Sequence, residues 1–236
     1  MRYCALATDY DGTLATHGKV DEQTLSSLGR FLSSGRKLLL ITGRELAELK
    51  RVFPQLGMFA RVIAENGALL YRPATDEEEL LCRPASLAFI SKLRRAGIPL
   101  SVGRAVVATV EPHQDAVRKA IEESGLDLQI SLNKGSVMVL PANVNKATGL
   151  RRALAELGLD PRSVVGIGDA ENDCEFLNVC GCAVAVANAL QSVKSSVHVV
   201  TTGAHGAGLT EIIDRMLADD LLISSNERGR DRFESH

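Results

Sequence analysis

The sequence Asp9-Tyr10-Asp11-Gly12-Thr13-Leu14 follows an apolar run, Tyr3 to Ala7, and places two carboxylates two residues apart, just before a glycine. The apolar run predicts a buried strand, and side chains at positions i and i+2 of a strand project to the same face. Two acids on one face raise each other's pKa unless a cation lies between them or they take different protonation states. The pattern favours a nucleophile beside a proton shuttle, with a metal ion as the counter-charge.

Two later apolar runs, Leu38 to Ile41 and Val164 to Gly168, also read as buried strands that end in polar residues. The first run is followed by Thr42-Gly43-Arg44, which offers a hydroxyl, an unobstructed backbone N–H and a cation. The second run is followed by Asp169 and, four residues on, by Asp173. In an open α/β sheet the ligand crevice lies at the carboxyl ends of the strands, so these groups are expected to meet there.

Lys146 lies just ahead of a helical pattern, Thr148 to Gly158. The dipole at the start of a helix disfavours a cation, so this position is unusual for a surface lysine unless an anion binds beside it. Lys146 is therefore a candidate ligand for a phosphate or a carboxylate.

These segments resemble, in order, the motifs of the haloacid dehalogenase superfamily of phosphohydrolases. The likeness is to the Cof-type branch, which includes archaeal-type phosphoglycolate and sucrose-phosphate phosphatases. The family's DxDGT, T/S-G-R, Lys and GDxxND motifs match Asp9 to Thr13, Thr42 to Arg44, Lys146 and Gly168 to Asp173. The Asn-Gly that this branch carries after its third core strand appears in Glu65-Asn66-Gly67, and the resemblance extends from Arg2 to about Leu217.

The resemblance implies a role for each matched residue. Asp9 attacks phosphorus and becomes an aspartyl phosphate, while Asp11 protonates the leaving oxygen and then deprotonates the hydrolytic water. The groups implied to bind phosphoryl oxygens are Thr42, the Gly43 N–H and Lys146. The implied ligands of Mg²⁺ are Asp9, the backbone carbonyl of Asp11, Asp169 and Asp173, the last directly or through water. Oxygen-only ligands fit a hard cation such as Mg²⁺.

Each of four further residues has two possible roles. Asn172 either reaches a phosphoryl oxygen or caps the helix that starts there. Arg44 either contacts the substrate or pairs with a nearby acid. Arg104 and Lys134 lie at predicted turns of the segment between the Thr and Lys motifs, where they either face an anionic substrate or serve as ordinary turn residues.

The segment between the Thr and Lys motifs has its own order of predicted elements. These are a helix, two short strands, a second helix and a hairpin (Ser86 to Gly97, Pro99 to Val110, His113 to Gly125 and Leu128 to Leu140). The order matches a minimal form of the cap that Cof-type enzymes insert, and such caps choose substrates; a decorative insertion is the alternative. We expect an α/β fold with a Rossmann-like core and parallel sheet (residues 1–72 and 144–222), a small α+β cap (residues 73–143) and a disordered tail (residues 223–236).

Composition narrows the classes of partner. The net charge of -2, without a basic run, argues against nucleic-acid binding. No apolar stretch approaches the ~20 residues of a membrane span, and the first residues lack a signal-peptide pattern. The five cysteines are odd in number and form no CxxC, as in a reduced protein. We therefore expect a cytoplasmic protein, monomeric or homodimeric, that acts on a small phosphorylated metabolite.

The sequence favours a Mg²⁺-dependent phosphomonoesterase that hydrolyses phosphoglycolate or a sugar phosphate. A phosphomutase of the same superfamily shares every motif and is the hardest alternative to exclude. A phosphorelay receiver is disfavoured, because its phosphoacceptor and its paired acids lie on different strands. A dinucleotide-binding dehydrogenase is suggested only by Gly166-Ile167-Gly168, and Asp169 and Glu171, which follow, would repel a pyrophosphate.

Overall fold

The structure is a computed structural model that describes residues 1–221, so the predicted tail, residues 223–236, lies outside the described residues. The strands are β1 Ala5–Asp9, β2 Lys37–Ile41, β3 Arg61–Ala64, β4 Leu69–Arg72, β5 Glu77–Leu80, β6 Ser101–Val102, β7 Val107–Val110, β8 Leu128–Asn133, β9 Ser136–Pro141, β10 Val164–Gly168, β11 Cys182–Ala185 and β12 Val199–Val200. The helices are α1 Glu22–Ser33, α2 Leu46–Val52, α3 Leu87–Arg95, α4 Gln114–Ser124, α5 Lys146–Leu157, α6 Cys174–Leu177, α7 Gln191–Lys194 and α8 His205–Asp219. Among these, no helix is both long and apolar enough to cross a membrane.

The core sheet has eight strands in the order β12-β11-β10-β1-β2-β3-β4-β5, and the neighbours from β12 to β3 are parallel. Every residue of β1 and of β10 is buried, because helices cover both faces of a parallel sheet and the strands then read as continuous apolar runs. This burial is why Val164 to Gly168 stood out in the sequence. The predicted α/β fold with a parallel sheet is confirmed.

Most predicted helices appear within a few residues of their predicted ends. Asp21 caps α1, since its side chain accepts a hydrogen bond from the Thr24 N–H at 2.8 Å. The helix that was expected to begin at Thr148 begins at Lys146 instead, because Asn145 and Thr148 form a capping box that starts it earlier. Lys146 is therefore the first residue of α5, and its side chain is carried on the sheet-facing side of a well-capped helix.

The edge of the core sheet differs from the prediction. Strand β5 (Glu77–Leu80) falls within residues 73–143, which the sequence assigned to the cap, yet it pairs antiparallel with β4 in the core sheet. Its three consecutive glutamates lack the alternating apolar pattern of a strand, but charged side chains protect an edge strand against pairing with other chains. The start of the cap therefore moves to the segment between Leu80 and Leu87, and the division into core and cap otherwise stays a prediction.

The cap contains a four-stranded sheet in the order β6-β7-β9-β8, with α3 and α4 on one face. Because successive side chains of a strand point to opposite faces, this sheet has one apolar layer on each face. Val107 and Val139 pack with Phe89 and Val117 of the helices. Met138 and Leu140 face the other way and pack with Val144 and Ala68 near the core sheet. The helix-free face of the cap sheet is thereby turned toward the carboxyl ends of the core strands.

A cluster of charges fixes α5 against β3 and β4. Glu156 of α5 accepts hydrogen bonds from Arg72 at 3.1 Å and from Arg61 at 2.9 Å, and it also pairs with Arg152 at 2.9 Å. The hydrogen bonds from Arg72 and then Arg61 lower the pKa of Glu156 to about 2 from its usual 4.5. A carboxyl with a depressed pKa stabilises the fold above its unfolded pKa, and this contribution is lost as the pH falls through the folded value.

Glu156→Gln is therefore expected to lower the free energy of unfolding at pH 7 by about 1–2 kcal/mol, since the charged hydrogen bonds are lost. The difference between wild type and variant should shrink as the pH falls from about 4.5 toward 2, where the wild-type carboxylate is itself protonated. Urea unfolding at several pH values measures it, with Glu122→Gln on the exposed face of α4 as the control. A difference that stays constant with pH would contradict this assignment.

Candidate active site

Three buried carboxylates converge at the carboxyl ends of the central strands. Asp9 ends β1, Asp169 follows β10, and Asp173 lies just before α6. They are 4%, 0% and 0% exposed, and one oxygen from each lies within 4.8 Å of the others. The parallel neighbours β1 and β10 bring these acids together, as the order of the motifs predicted.

Lys146 supplies a buried positive charge beside these acids. Its Nζ donates to Asp9 Oδ1 and to Asp173 Oδ1, both at 2.6 Å, and its side chain is 1% exposed. Burial alone would lower the pKa of Lys146, but Asp173 and Asp9 outweigh it and raise that pKa, so the ammonium stays charged. Burial and then Asp173 raise the pKa of Asp9 well above its usual range, while Lys146 opposes them. The buried ammonium of Lys146 and the partly exposed one of Lys134, which pairs with Asp169, do not balance three carboxylates, so the site favours a further cation.

Hydrogen-bond donors hold two of these carboxylates in place. The Thr13 hydroxyl donates to Asp169 Oδ1 at 2.8 Å. Asp173 Oδ2 accepts the backbone N–H groups of Asp169 and Ala170, at 2.8 Å and 3.0 Å. A compact, oxygen-only donor set with excess negative charge fits a hard divalent cation such as Mg²⁺.

Gly12 lets the chain pass over Asp169 directly after β1. Its φ is +87°, and a Cβ there would lie 2.3 Å from Asp169 Oδ2, so a side chain would displace the carboxylate. The Gly12 carbonyl accepts a hydrogen bond from Asn188 Nδ2 at 2.8 Å, and His205 Nδ1 lies 2.9 Å from the same oxygen. Neither Asn188 nor His205 was among the predicted site residues.

Asp11 is placed differently from the expectation that both acids share a strand face. Strand β1 ends at Asp9, so the alternation that would align Asp11 with it stops there. The Asp11 carboxylate instead accepts a bidentate pair from Arg44, with Nε at 2.6 Å and Nη2 at 2.7 Å. The buried cluster among residues 1–221 therefore has three carboxylates rather than four. Arg44 also pairs with Glu48. Arg44 therefore pairs with nearby acids, which was one of its two predicted roles.

Thr42 and Gly43 form the turn that follows β2. Thr42 is 1% exposed, and its Oγ1 accepts the Arg44 N–H at 3.1 Å, which leaves the hydroxyl hydrogen free to donate elsewhere. Gly43 approaches the cap so closely that a Cβ would lie 3.3 Å from Met138 Sδ. Gly43 and Met138 line one cavity together with Asp9 and Asp11.

Asn172 does not cap a helix, since α6 begins after Asp173 and has no side-chain cap. Its Nδ2 donates to Asn66 Oδ1 at 2.9 Å, and Asn66 Nδ2 donates to the hydroxyl of Ser131 in the cap at 2.9 Å. Asn172 Oδ1 is buried without a hydrogen-bond partner in the described part of the chain. Because a serine hydroxyl both donates and accepts, rotating both amides by a half turn preserves both bonds and turns this orphaned atom into an N–H donor. Such a donor suits a phosphoryl oxygen.

A cavity of about 420 Å³ separates the core from the cap. Core residues line its floor: Asp9, Asp11, Gly43, Arg44, Glu45 and Glu48. Cap residues line its roof: Ser101, Val106, Ala108, Asn133, Lys134, Ser136 and Met138.

The two predicted cap contacts behave differently. Lys134 extends from the turn between β8 and β9 and forms an ion pair with Asp169. Arg104 does not line this cavity; it pairs with Glu78 of β5 and is about half exposed. Lys134 is therefore the cap cation that reaches the carboxylates, and the proposed substrate contact of Arg104 is not supported by its position.

Two archaeal enzymes are similar to this chain over most of its length. A phosphoglycolate phosphatase of Methanothermobacter thermautotrophicus is 27% identical over 224 residues, which cover 90% of this chain and 98% of that protein. Phosphoglycolate phosphatase 2 of Saccharolobus solfataricus is 29% identical over 222 residues, which cover 90% of this chain and 92% of that protein.

Two solved structures share the fold. Thermoplasma acidophilum 0175 has a TM-score of 0.80 at 17% identity, covering 91% of this chain and 98% of that one. The haloacid dehalogenase subclass IIB sugar phosphatase BT4131 has a TM-score of 0.71 at 18% identity, covering 90% of this chain and 97% of that one. At these identities the likeness is one of fold.

The profile of the family described as haloacid dehalogenase-like hydrolase matches residues 6–96 and 100–213. These ranges include Asp9, Thr42, Lys146 and Asp169, the residues on which the resemblance in the sequence rested, and both the core and the cap. The predicted family is confirmed: the chain belongs to the haloacid dehalogenase-like hydrolases.

Proposed function

We propose that this chain is a phosphomonoesterase that hydrolyses a small phosphorylated metabolite, with phosphoglycolate as the first candidate. The observation that carries the proposal is Lys146, buried between Asp9 and Asp173, with Asp9 lining a cavity between the core and the cap. A buried ammonium beside an excess of carboxylates provides both a nucleophile and a positive charge for the phosphoryl oxygens.

Asp9 is the proposed nucleophile. One of its oxygens forms a bond to phosphorus as the bond between phosphorus and the leaving oxygen breaks, which gives an aspartyl phosphate. Asp11 gives a proton to the leaving oxygen. It then takes a proton from the water that attacks phosphorus, the bond between phosphorus and the Asp9 oxygen breaks, and inorganic phosphate leaves with both acids regenerated. Arg44 holds Asp11 by two hydrogen bonds and so fixes the direction in which its carboxyl points.

Thr42, the Gly43 N–H, Lys146 and Asn172 are the proposed donors to the phosphoryl oxygens. Asp9, Asp169 and Asp173 would hold Mg²⁺, and the backbone carbonyl of Asp11 is a further predicted ligand. When bound, the cation would neutralise negative charge on the phosphoryl group and on the nucleophile.

The cavity supports a compact substrate with a second anionic group. A volume of about 420 Å³ suits a small metabolite. Lys134 brings a cation to the roof of the cavity, and Asn133 and Ser136 bring hydrogen-bonding groups beside it. The relatives in Methanothermobacter and Saccharolobus are named as phosphoglycolate phosphatases, and phosphoglycolate carries a carboxylate that Lys134 would pair with. A sugar phosphate is the second candidate, because the polar roof also suits hydroxyl groups.

A panel of phosphate esters tests the reaction and the substrate together. With Mg²⁺ present, release of inorganic phosphate should have a higher kcat/KM for phosphoglycolate than for 2-hydroxyethyl phosphate, which has a neutral hydroxymethyl in place of the carboxylate. Lys134→Met should reduce that preference while an activated aryl phosphate is still hydrolysed. A preference for sugar phosphates would replace the first candidate, and a requirement for a bisphosphate activator would identify a phosphomutase.

Removal of divalent cations is expected to abolish turnover, since Asp9, Asp169 and Asp173 then converge without a divalent cation to neutralise the nucleophile and the phosphoryl group. Added Mg²⁺ should restore activity and raise the thermal midpoint, because it binds the folded site only. Ca²⁺ should inhibit, as its larger and looser coordination shell misplaces the nucleophile. Phosphate release and thermal unfolding with and without chelator measure both effects. Full activity in excess chelator would rule out the metal assignment.

A further inference from the structure

Glu65 makes an unusual contact between the core and the cap. Its carboxylate is 1% exposed and accepts three backbone N–H groups of the cap, from Arg104 at 3.0 Å, Ala105 at 2.7 Å and Val106 at 3.0 Å. The fit is tight, since a Cβ on Gly103 would lie 2.7 Å from Glu65 Oε2. A buried carboxylate that accepts several N–H groups forms strong, charge-assisted hydrogen bonds, and no water competes for them while the cap is closed.

The backbone that carries this carboxylate is strained and is tied to the Thr motif. Glu65 and Asn66 have φ values of 50° and 55°, which residues with side chains rarely adopt. The Glu65 N–H donates to the Arg44 carbonyl at 3.0 Å, and the Asn66 N–H donates to the Thr42 carbonyl at 2.9 Å. Backbone strain of this kind persists where the surrounding structure enforces it, commonly at functional sites.

The side chain of Asn66 also connects the cap to the core. It joins Ser131 of the cap strand β8 to Asn172, which lies beside the carboxylate cluster. Glu65 and Asn66 therefore contact two separate parts of the cap, the segment between β6 and β7 and the strand β8. From the same loop they contact the Thr42 turn and Asn172.

We propose that Glu65 and Asn66 are positioning residues that hold the cap closed over the site and set the place of its cavity-lining residues. Glu65 fixes the segment that ends in Val106, which lines the cavity, and this segment connects strands that carry Ser101 and Ala108. Asn66 holds Asn172 only while Ser131 is in place, so closure of the cap and orientation of Asn172 occur together. The proposal rests on the proposed phosphatase function for its kinetic part and on the structure alone for its conformational part.

Amide hydrogen exchange without substrate tests the conformational part. Glu65→Gln keeps the size of the side chain but replaces one accepting oxygen by an NH₂ group, which opposes the cap N–H groups. Exchange of residues 104–106 and of β8 should rise about tenfold or more, as expected for the loss of a charge-assisted hydrogen bond. Glu78→Gln is the matched control, because Glu78 pairs with the side chain of Arg104 at an exposed part of the same boundary. It should leave exchange within about twofold of wild type.

A second variant changes the cap side of the contact with Glu65. Gly103→Ala places a methyl group against the Glu65 carboxylate and should raise exchange in the same segments. The double variant with Glu65→Gln should add little to either single change, since both remove one contact. Equal exchange in wild type and Glu65→Gln, or a rise confined to residues 104–106 with β8 unchanged, would overturn the proposal. Circular dichroism of each variant establishes that it is folded.

Kinetics separate a positioning role from a merely structural one. Glu65→Gln should lower kcat/KM for the preferred metabolite by about tenfold or more, while kcat for a small activated aryl phosphate changes far less. If Glu65→Gln lowered kcat/KM for the metabolite and kcat for the aryl phosphate by the same factor, Glu65 would not act by positioning the cap. If no phosphate ester is turned over at all, the proposed function fails, and the exchange result still decides whether Glu65 holds the cap.

Discussion

Asp9→Asn is expected to abolish turnover of every phosphate ester, a loss on the order of 10⁴–10⁶-fold as for removal of other catalytic nucleophiles. The amide has nearly the shape of the carboxylate and keeps one oxygen, but it is not an anion and cannot form the bond to phosphorus. Neither steady-state phosphate release nor a covalent phosphate on the protein should be detectable. A sensitive phosphate assay and intact-protein mass spectrometry measure the two quantities.

The fold should survive this substitution. Lys146 keeps its hydrogen bond to Asp173, so the ammonium is not left without a partner when Asp9 becomes neutral. Removal of one of three converging negative charges also relieves repulsion within the cluster. We expect thermal stability at or above that of wild type without Mg²⁺. Turnover above about 1% of wild type would show that another residue attacks phosphorus.

The sequence predicted the centre of the fold and of the site because both depend on local patterns. Buried parallel strands read as apolar runs, so β1, β2 and β10 were recognisable, and the residues after them meet by topology alone. The sequence therefore predicted that the acids Asp9, Asp169 and Asp173 and the cation Lys146 lie together. In the structure they do lie together.

The predictions that failed depend on contacts between distant residues. The ending of β1 at Asp9 is set by the turn at Gly12, which rests on Asp169, and this turn directs Asp11 toward Arg44. Strand β5 exists because β4 offers it a partner, although its own sequence resembles an acidic turn.

In the sequence, Glu65 is notable only because Asn66 and Gly67 follow it. Its partners are backbone N–H groups about 40 residues away, which leave no trace in periodicity or composition. Asn188 and His205 were missed as contacts of Gly12 for the same reason. A pattern in the sequence shows where a strand ends, but not which distant atoms meet there.

Asp11→Asn should separate the two acids of the first motif, since it keeps the nucleophile and removes the proposed proton carrier. The asparagine keeps one oxygen for Arg44, so the side chain should stay near its present place. Loss of general acid and base catalysis commonly costs ~10²–10⁴-fold in rate. An ester with a poor leaving group should lose most, because its leaving oxygen needs a proton.

An activated aryl phosphate makes the difference visible, because its leaving group hardly needs protonation. Asp9 of the Asp11→Asn variant should still be phosphorylated, but water should attack the aspartyl phosphate slowly, since no residue removes its proton. Rapid-quench mass spectrometry should then find roughly 80 Da, the mass of one phosphoryl group in a covalent intermediate, on the peptide that contains Asp9. The Asp9→Asn variant, treated identically, should carry none. An adduct on that variant, or on another residue, would assign the nucleophile elsewhere, and the buried contact between Lys146 and Asp9 would then need another explanation.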